Sequence, residues 1–399
     1  MKITYLIIGF AIIAITGCSS SRNTAVQKDQ LGLIDKALSN AVSQYKILMT
    51  TVPEGRMPHS YQNNKIRAVR PTGWTAGFYP GTLLNLYKAT GDKKLFEEAL
   101  REIVVMDSVQ FFTDHHDIGF MMYCSYGTLN SISPKEAYKK ILVNSAESLI
   151  KRYSPVVKSI RSWGKIDDDN EFTVIVDNMM NLEMLMWASK ATGNPKYRNI
   201  AVAHANTTLQ NHFRADNSSY HVVAYNPKTG AVMQKRTAQG AQDESAWARG
   251  QAWGLYGFTM MYRETGDKRY FEQAKKIAAF ILSHPNLPKD KIPYWDFNAP
   301  DIPNATRDAS SGAKIASALL ELSGFTNGSL SKQYYNEASE MLKSLASPHY
   351  TAAIGSNGGF ILMHSVSNLR RGVEVDVPLT YADYYFIEAL MRLKKKIRS

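Results

Sequence analysis

The stretch Leu83-Leu84-Asn85-Leu86-Tyr87-Lys88-Ala89-Thr90-Gly91-Asp92 decides how the chain folds. It is an apolar helix ending in a Thr-Gly-Asp turn. The pattern returns as Met184 to Thr192-Gly193-Asn194, and again as Met260-Met261-Tyr262-Arg263-Glu264-Thr265-Gly266-Asp267. Each Gly falls where a helix needs a left-handed C-cap. Each following Asp or Asn can cap the next helix. Those next helices also begin alike, at 94–99, 196–201 and 269–274. Self-similar helix pairs mark a repeat architecture.

Extended along the chain, the pattern gives two alternating sets of helices. One set is apolar on a single face, near 30–50, 93–112, 135–152, 195–212, 268–283 and 331–347. The other is rich in aromatics, Met and small residues, near 77–90, 118–129, 177–191, 246–263, 309–323 and 378–394. Helices apolar all round are buried, and amphipathic ones cover them. Six inner and six outer helices predict an all-α (α/α)6 toroid. An open solenoid would leave its apolar concave face wet. Long non-helical pieces at 51–76, 154–176, 213–245, 285–308 and 348–377 precede inner helices and carry many Trp, His and Gly. Loops of that length are usually functional. In a toroid they gather at the N-terminal ends of the inner helices, where free N–H groups favour an anion.

The 399 residues are 44% hydrophobic and 21% charged, which excludes a disordered, collagenous or low-complexity chain. Residues 1–17 have the form of a leader: Lys2, then an apolar run from Ile3 to Thr16. The run is too short for a stable membrane span. Ile15-Thr16-Gly17-Cys18 resembles a bacterial lipobox, with Cys18 as the lipidated first residue. The expected organisation is a signal peptide over 1–17, a tether over 18–29 and one catalytic domain over 30–399. A plain secretory peptide is the alternative. The expected location is the periplasm or outer membrane of a bacterium, with the membrane touched through the lipid anchor only. If Cys18 carries lipid, Cys124 has no disulfide partner. The net charge of +12 suggests an anionic partner. For an exported chain that partner is an acidic polymer or a membrane surface, and nucleic acid is not expected.

Two carboxylates stand at predicted starts of adjacent inner helices: Asp117 in Asp114-His115-His116-Asp117-Ile118-Gly119-Phe120, and Asp177 in Val174-Ile175-Val176-Asp177-Asn178. Each could simply be an N-cap. Aimed at one mouth, they could form an acid/base pair with unequal pKa values. The segment from Gln239 to Trp253 places Arg249 and Trp253 four residues apart on one helix face. Arg249 offers a planar fork for a carboxylate, or a partner for Asp243 or Glu244; Trp253 offers a flat platform for a ring. Trp74 could stack on a sugar or anchor packing. His221 is a weak signal alone. The consecutive His115-His116-Asp117 lack metal-ligand spacing, and Asp167 to Glu171 lack the Gly and distal Glu of an EF-hand loop. With no P-loop, dinucleotide fingerprint or G-x-S-x-G, no cofactor and no metal are expected.

Five segments occur in order: Trp74 to Gly81, His116 to Phe120, Val176 to Asn181, Trp247 to Trp253 and Asp376 to Tyr385. Together they resemble the unsaturated glucuronyl hydrolases of glycoside hydrolase family 88, over about residues 30–395. The resemblance implies an (α/α)6 barrel acting on anionic oligosaccharides left by polysaccharide lyases, which carry a C4=C5 unsaturated uronic acid at the non-reducing end. It implies Asp177 as general acid/base and Asp117 as its partner. Trp74, His116, His221, Gln239, Arg249 and Trp253 match positions lining the sugar subsite. Ser365, Ser367 and Arg370, in a loop expected at the rim, suit a sulfate on the next sugar. Some relatives place a Lys where Leu369 stands here. The rival readings are an unsaturated galacturonyl-rhamnose hydrolase acting on pectin fragments and a non-catalytic sugar-binding lipoprotein. The wording Arg249-Gly250-Gln251-Ala252-Trp253 favours the glucuronyl family, and the two aspartates favour an enzyme.

Overall fold

A computed structural model of the chain describes the backbone of residues 17–398 and the side chains of residues 27–398. The predicted leader and the side chain of Cys18 lie outside the described residues. In chain order the helices are α1 (Gly17–Leu48), α2 (Phe78–Thr90), α3 (Lys93–Val104), α4 (Ile118–Met122), α5 (Thr128–Ile132), α6 (Glu136–Ile150), α7 (Leu182–Thr192), α8 (Pro195–Asn211), α9 (Ala248–Thr265), α10 (Lys268–Ser283), α11 (Ala309–Leu322), α12 (Gly328–Leu345) and α13 (Thr380–Arg398). A π turn at Tyr123–Gly127 joins α4 and α5, which together stand where one inner helix was expected. Helix α1 also takes in the stretch 18–29 expected as a tether.

The three repeat turns form as their residues dictate. Gly91, Gly193 and Gly266 adopt φ of 77°, 70° and 72°, the left-handed cap that a side chain would strain. Asp92, Asn194 and Asp267 then accept from the backbone N–H of Lys94, Lys196 and Arg269, which starts the next helix. Tight turns of this kind force neighbouring helices antiparallel. Every inner helix therefore runs from the long-loop side, the mouth, toward the short turns at the rear.

The inner helices α2, α4–α5, α7, α9, α11 and α13 pack in sequence, and α13 returns against α2 and α1, closing the ring. The chain is an (α/α)6 toroid. Burial is nearly complete along α9 and α11, in keeping with their all-round apolar sequences. At the rear, Arg263 joins Glu183, Glu264 and Glu321, the last at 2.7 Å, and Arg392 joins Glu321 and Glu388. Four inner helices are thus pinned by one ionic network.

The nine short strands among the described residues were not expected, and all lie in the long pieces at the mouth. They are β1 (Met57–Gln62), β2 (Lys65–Val69), β3 (Tyr153–Ser154), β4 (Ser159–Ile160), β5 (Phe172–Ile175), β6 (Val222–Tyr225), β7 (Val232–Arg236), β8 (Ser365–Asn368) and β9 (Val373–Val377). All pairings are antiparallel: β1–β2, β3–β4, β5–β6–β7 and β8–β9. They give long loops a hydrogen-bonded frame and so fix the side chains they carry.

Candidate active site

Strand β5 runs directly into a 3₁₀ turn over Val176–Asn181, which presents Asp177. Asp117 stands immediately before α4. Asp117 occupies the N-cap position of α4 but its side chain makes no cap hydrogen bond, and Asp177 lies inside its turn, so neither carboxylate is spent on capping. Gly119 lets the two segments meet. A Cβ there would come within 2.6 Å of Asn181 Cα, so only glycine permits this approach. Asn181 exploits the contact: its Oδ1 accepts from Phe120 N–H at 2.9 Å and its Nδ2 donates to His116 Nδ1 at 3.3 Å. Segment 160–162 completes the frame, with Ser162 O accepting from His116 N–H and Ile160 O accepting from Asn178 Nδ2.

Each aspartate faces a neutral histidine. His116 accepts at Nδ1, which leaves the proton on Nε2, 3.3 Å from Asp117 Oδ1. His221, delivered by the start of β6, accepts the Ala238 N–H at Nδ1 and holds Nε2–H 3.7 Å from Asp177 Oδ2. Burial holds both rings uncharged; for His221 the nearby Arg249 adds to it. His115 Nδ1 lies 3.1 Å from Asp117 Oδ2.

The two carboxyls differ in state. Burial pushes the Asp177 pKa up to about 7; Arg249 opposes this, and the charge of Asp117 adds to it. For Asp117 burial also favours the neutral form, but His116 and His115 outweigh it and hold the pKa below the ordinary carboxylate range. One carboxyl is therefore poised to carry a proton near neutrality beside another that is ionised.

Arg249 is buried and points at the β8–β9 hairpin. It donates to Val366 O, to Ser367 O at 2.7 Å and to Gln239 Oε1, and lies 3.5 Å from Asp308 Oδ2. Its ionic partner is thus Asp308, not Asp243 or Glu244; Glu244 pairs with Arg214 on the surface. Trp253 is fully buried against Phe120, Tyr385 and the ammonium of Lys314, so it is a wall of the core without the open face expected of it. Trp74 is half-buried, tilted against Tyr381 at 5.0 Å, and does keep an exposed part. Ser365 Oγ is buried without a hydrogen-bond partner, and so are Asp177 Oδ2, His221 Nε2, Trp253 Nε1 and Tyr381 OH. Ser367 is partly exposed, and Arg370 is exposed with Nη1 3.3 Å from Thr237 O. These two and Ser365 lie on the hairpin that holds Arg249, at the mouth as expected.

Sequence reasoning missed several residues here. Trp163 sits half-buried, edge-on to His221 at 5.9 Å, in a loop of the same kind as that of Trp74, and that shared placement was the available signal. Trp247 backs His221 at 4.3 Å. Lys314 is fully buried on α11 with its ammonium 4.5 Å from the Trp253 ring centre and 4.9 Å from that of Tyr381; burial pushes its pKa well down. Asp308 caps α11. Nothing in the local sequence of the last two sets them apart from ordinary helix residues.

The loops at the mouth do not carry the net charge. The mouth segments 51–76, 105–117, 151–177, 212–247, 284–308 and 346–379 carry eighteen Lys and Arg and eighteen Asp and Glu. The overall +12 does not come from the loops around the cleft, which are formally neutral; the cations acting on Asp177 are Arg249 and Lys314 on the inner helices. A cavity of about 510 Å³ runs among the inner helices from Lys88, Arg392 and Lys395 at the rear to Gly119, Phe120 and Met180; neither aspartate lines it. Among the described residues no three His, Cys, Asp or Glu side chains come together to hold a metal ion.

A closed helical toroid with two aspartates of opposite protonation at its mouth defines a glycosidase. Residues 45–391 match the model of Glycosyl Hydrolase Family 88, and the chain belongs to that family. It is 41% identical to an unsaturated glucuronyl hydrolase of Formosa agariphila, over 99% of each chain. It superposes on the crystal structure of an unsaturated glucuronyl hydrolase specific for heparin with a TM-score of 0.89 and 45% identity, over 92% of this chain and 98% of that one. A Streptococcus agalactiae unsaturated glucuronyl hydrolase mutant complexed with dGlcA-GalNAc6S gives a TM-score of 0.78 at 29% identity, over 91% and 92% of the two chains.

Proposed function

We propose that this glycosidase removes the C4=C5 unsaturated uronic acid from the non-reducing end of lyase-generated glycosaminoglycan fragments. The observation that carries the reading is the Asp177 carboxyl with a pKa of about 7 beside an ionised Asp117. The C4=C5–O5 unit is a vinyl ether. Asp177 gives its proton to C4, and the positive charge forms at C5, shared with the ring oxygen. Water adds at C5 and its proton passes to the Asp177 carboxylate. The resulting hemiketal opens and releases the next sugar. The net change is addition of one water, and no covalent enzyme intermediate forms, unlike an ordinary retaining displacement. Trp74 serves as the exposed platform for the ring. Arg249 acts from behind, fixing Gln239 and the carbonyls of Val366 and Ser367.

Loss of the vinyl-ether ultraviolet absorbance tests this directly. Turnover of glycosaminoglycan lyase products is the expected result. Turnover confined to pectin fragments would move the chain to the galacturonyl reading, and no turnover of either would leave a sugar-binding protein.

The same reading extends to the hairpin and the anchor. Ser365, Ser367 and Arg370 line the place for a sulfate on the second sugar. Cys18 carries lipid and holds the enzyme at a bacterial membrane on the periplasmic or outer side. Cys18→Ser should shift the protein from the membrane to the soluble fraction; a wild type already soluble would remove the anchor.

A further inference from the structure

The turns at the rear of the ring, 88–94, 135–140, 190–198, 263–269, 323–332 and 392–398, carry eighteen Lys and Arg against four Asp and Glu. Their excess is greater than the net charge of the whole chain. Arg263 and Arg392 are engaged by partly buried glutamates. Most of the others are exposed, among them Lys88, Lys135, Arg198, Lys332, Lys395 and Arg398. Cations near helix C-termini are favoured by the helix dipole, which accounts for one or two per turn on α2 and α13. It does not account for Lys93, Lys94 or Lys135, which open the outer helices, where the dipole disfavours a cation; Lys196, which also opens one, pairs with Glu147 at 2.6 Å. The formally neutral mouth makes the contrast sharper.

The chain itself also leaves by this face. The C-terminal end of α1 is at the mouth, with Leu48 against Gly359 and Gln44 holding the carbonyls of Ser356 and Phe360. Further back, Asp35 pairs with Lys394 at 2.7 Å, level with the rear. At the usual helical rise, Gly17 stands about 27 Å of helix beyond Asp35. Gly17, the first residue whose backbone is described, therefore lies on the rear side.

We propose that the rear face of the ring docks on an anionic lipid surface, with the catalytic mouth turned away from it. The docking deepens the anchored reading but acts through charge on the folded body, so it can be tested without lipid on Cys18. A row of cations at a bilayer adds attraction residue by residue, over a distance of about a Debye length. The consequence is orientation: a tether alone lets the ring tumble, whereas a charged face fixes the mouth toward arriving oligosaccharides.

The test uses the full chain carrying Cys18→Ser, mixed with equimolar phosphatidylglycerol–phosphatidylcholine vesicles or with pure phosphatidylcholine vesicles, and read by sedimentation. Binding should be strong to the anionic vesicles, weak to the neutral ones and lost at high salt. The added triple change Lys88→Glu, Lys395→Glu, Arg398→Glu should lower partitioning at least ~10-fold. It should leave the melting temperature and kcat/KM on a soluble unsaturated disaccharide unchanged. The matched mouth change Lys65→Glu, Lys165→Glu, Lys228→Glu should lower partitioning far less. Equal binding to both vesicles, or equal loss from the two triple changes, would overturn the proposal. If Cys18→Ser protein ignores anionic vesicles while wild type stays at the membrane, docking fails and the anchor stands. If wild type is soluble in the cell yet its body binds these vesicles, the anchor fails and docking stands.

Discussion

Nε2 of His221 stands 3.7 Å from Oδ2 of Asp177, its proton aimed at the carboxyl with no hydrogen bond closed between them. His116 holds the same relation to Asp117 at 3.3 Å. In both, a donor on Nδ1 selects the tautomer: a backbone N–H for His221 and the Asn181 amide for His116. The paired geometry leaves the difference between the carboxyls to charge and burial.

Asp177→Asn should cut kcat at least ~100-fold with little change in substrate binding, since the amide keeps the shape but has no carboxylic proton. Single-turnover loss of the vinyl-ether absorbance, with binding measured by calorimetry, separates the two effects.

The same variant should be more stable than wild type, increasingly so with pH. The Asp177 pKa is raised in the folded chain to about 7, so the stability tied to its proton is full below the unfolded value near 3.8 and lost as pH rises through 7. The melting temperature of Asp177→Asn minus that of wild type should therefore grow from pH 4 to pH 7 and then level off. Wild-type kcat/KM should fall above pH 7 as the acid ionises, and Asp117→Asn, which removes a neighbouring charge, should move that fall to lower pH as well as slowing the reaction.

Gly119→Ala should depress activity more than stability. The new methyl meets Asn181, so the segments bearing Asp117 and Asp177 must part by a fraction of an ångström or more. A fall in kcat exceeding ~10-fold is expected for such misplacement of a proton donor, with far-ultraviolet dichroism unchanged.

Glu374 is buried and accepts from His59 Nε2 at 2.8 Å, with Arg67 also at 2.8 Å. His59 Nδ1 in turn meets Thr75 Oγ1 at 2.8 Å, next to Trp74. Burial disfavours its charge, yet these partners hold the Glu374 pKa down to about 2. Its stability contribution is present above the unfolded value of 4.5 and lost as pH falls through 2. Glu374→Gln should cost about 3 kcal/mol in denaturant unfolding at pH 7, with the gap to wild type narrowing below pH 4.

Because the mouth loops are formally neutral, kcat/KM on an unsulfated unsaturated disaccharide should change less than ~3-fold with ionic strength. A sulfated disaccharide should be preferred locally through the hairpin. Arg370→Ala/Arg371→Ala should erase that preference while sparing the unsulfated substrate; equal kcat/KM for both substrates in wild type would exclude a sulfate subsite.

Much of the ring was legible because helix caps are local. Thr-Gly-Asp at 90–92 states a C-cap and an N-cap in three residues, and the pairing of six helices follows from the three turns of this kind. The two aspartates were legible from their place before apolar helices. Arg249 was found, but its partner was not, because Asp308 lies 59 positions away and pairs only once the ring closes. Trp253 was misjudged because helix periodicity shows which residues share a face, not which rings cover it. Lys314 gave no signal at all: a lysine in a helix ordinarily reaches water, and only the three surrounding aromatic rings make it internal. The strands were hidden because stretches as short as Val222 to Tyr225 are too brief for alternation to register.

Closure of the ring by α13 against α1 and α2 has a consequence for synthesis. The seam between the first and last inner helices cannot form until the final twenty or so residues have left the ribosome. Until then α2 exposes one flank and α11 the other, with their apolar rows unmatched. A chain cut before Thr380 should therefore not be a slightly smaller enzyme but an open, sticky arc, and a premature stop late in the coding sequence should be as damaging as one near its middle.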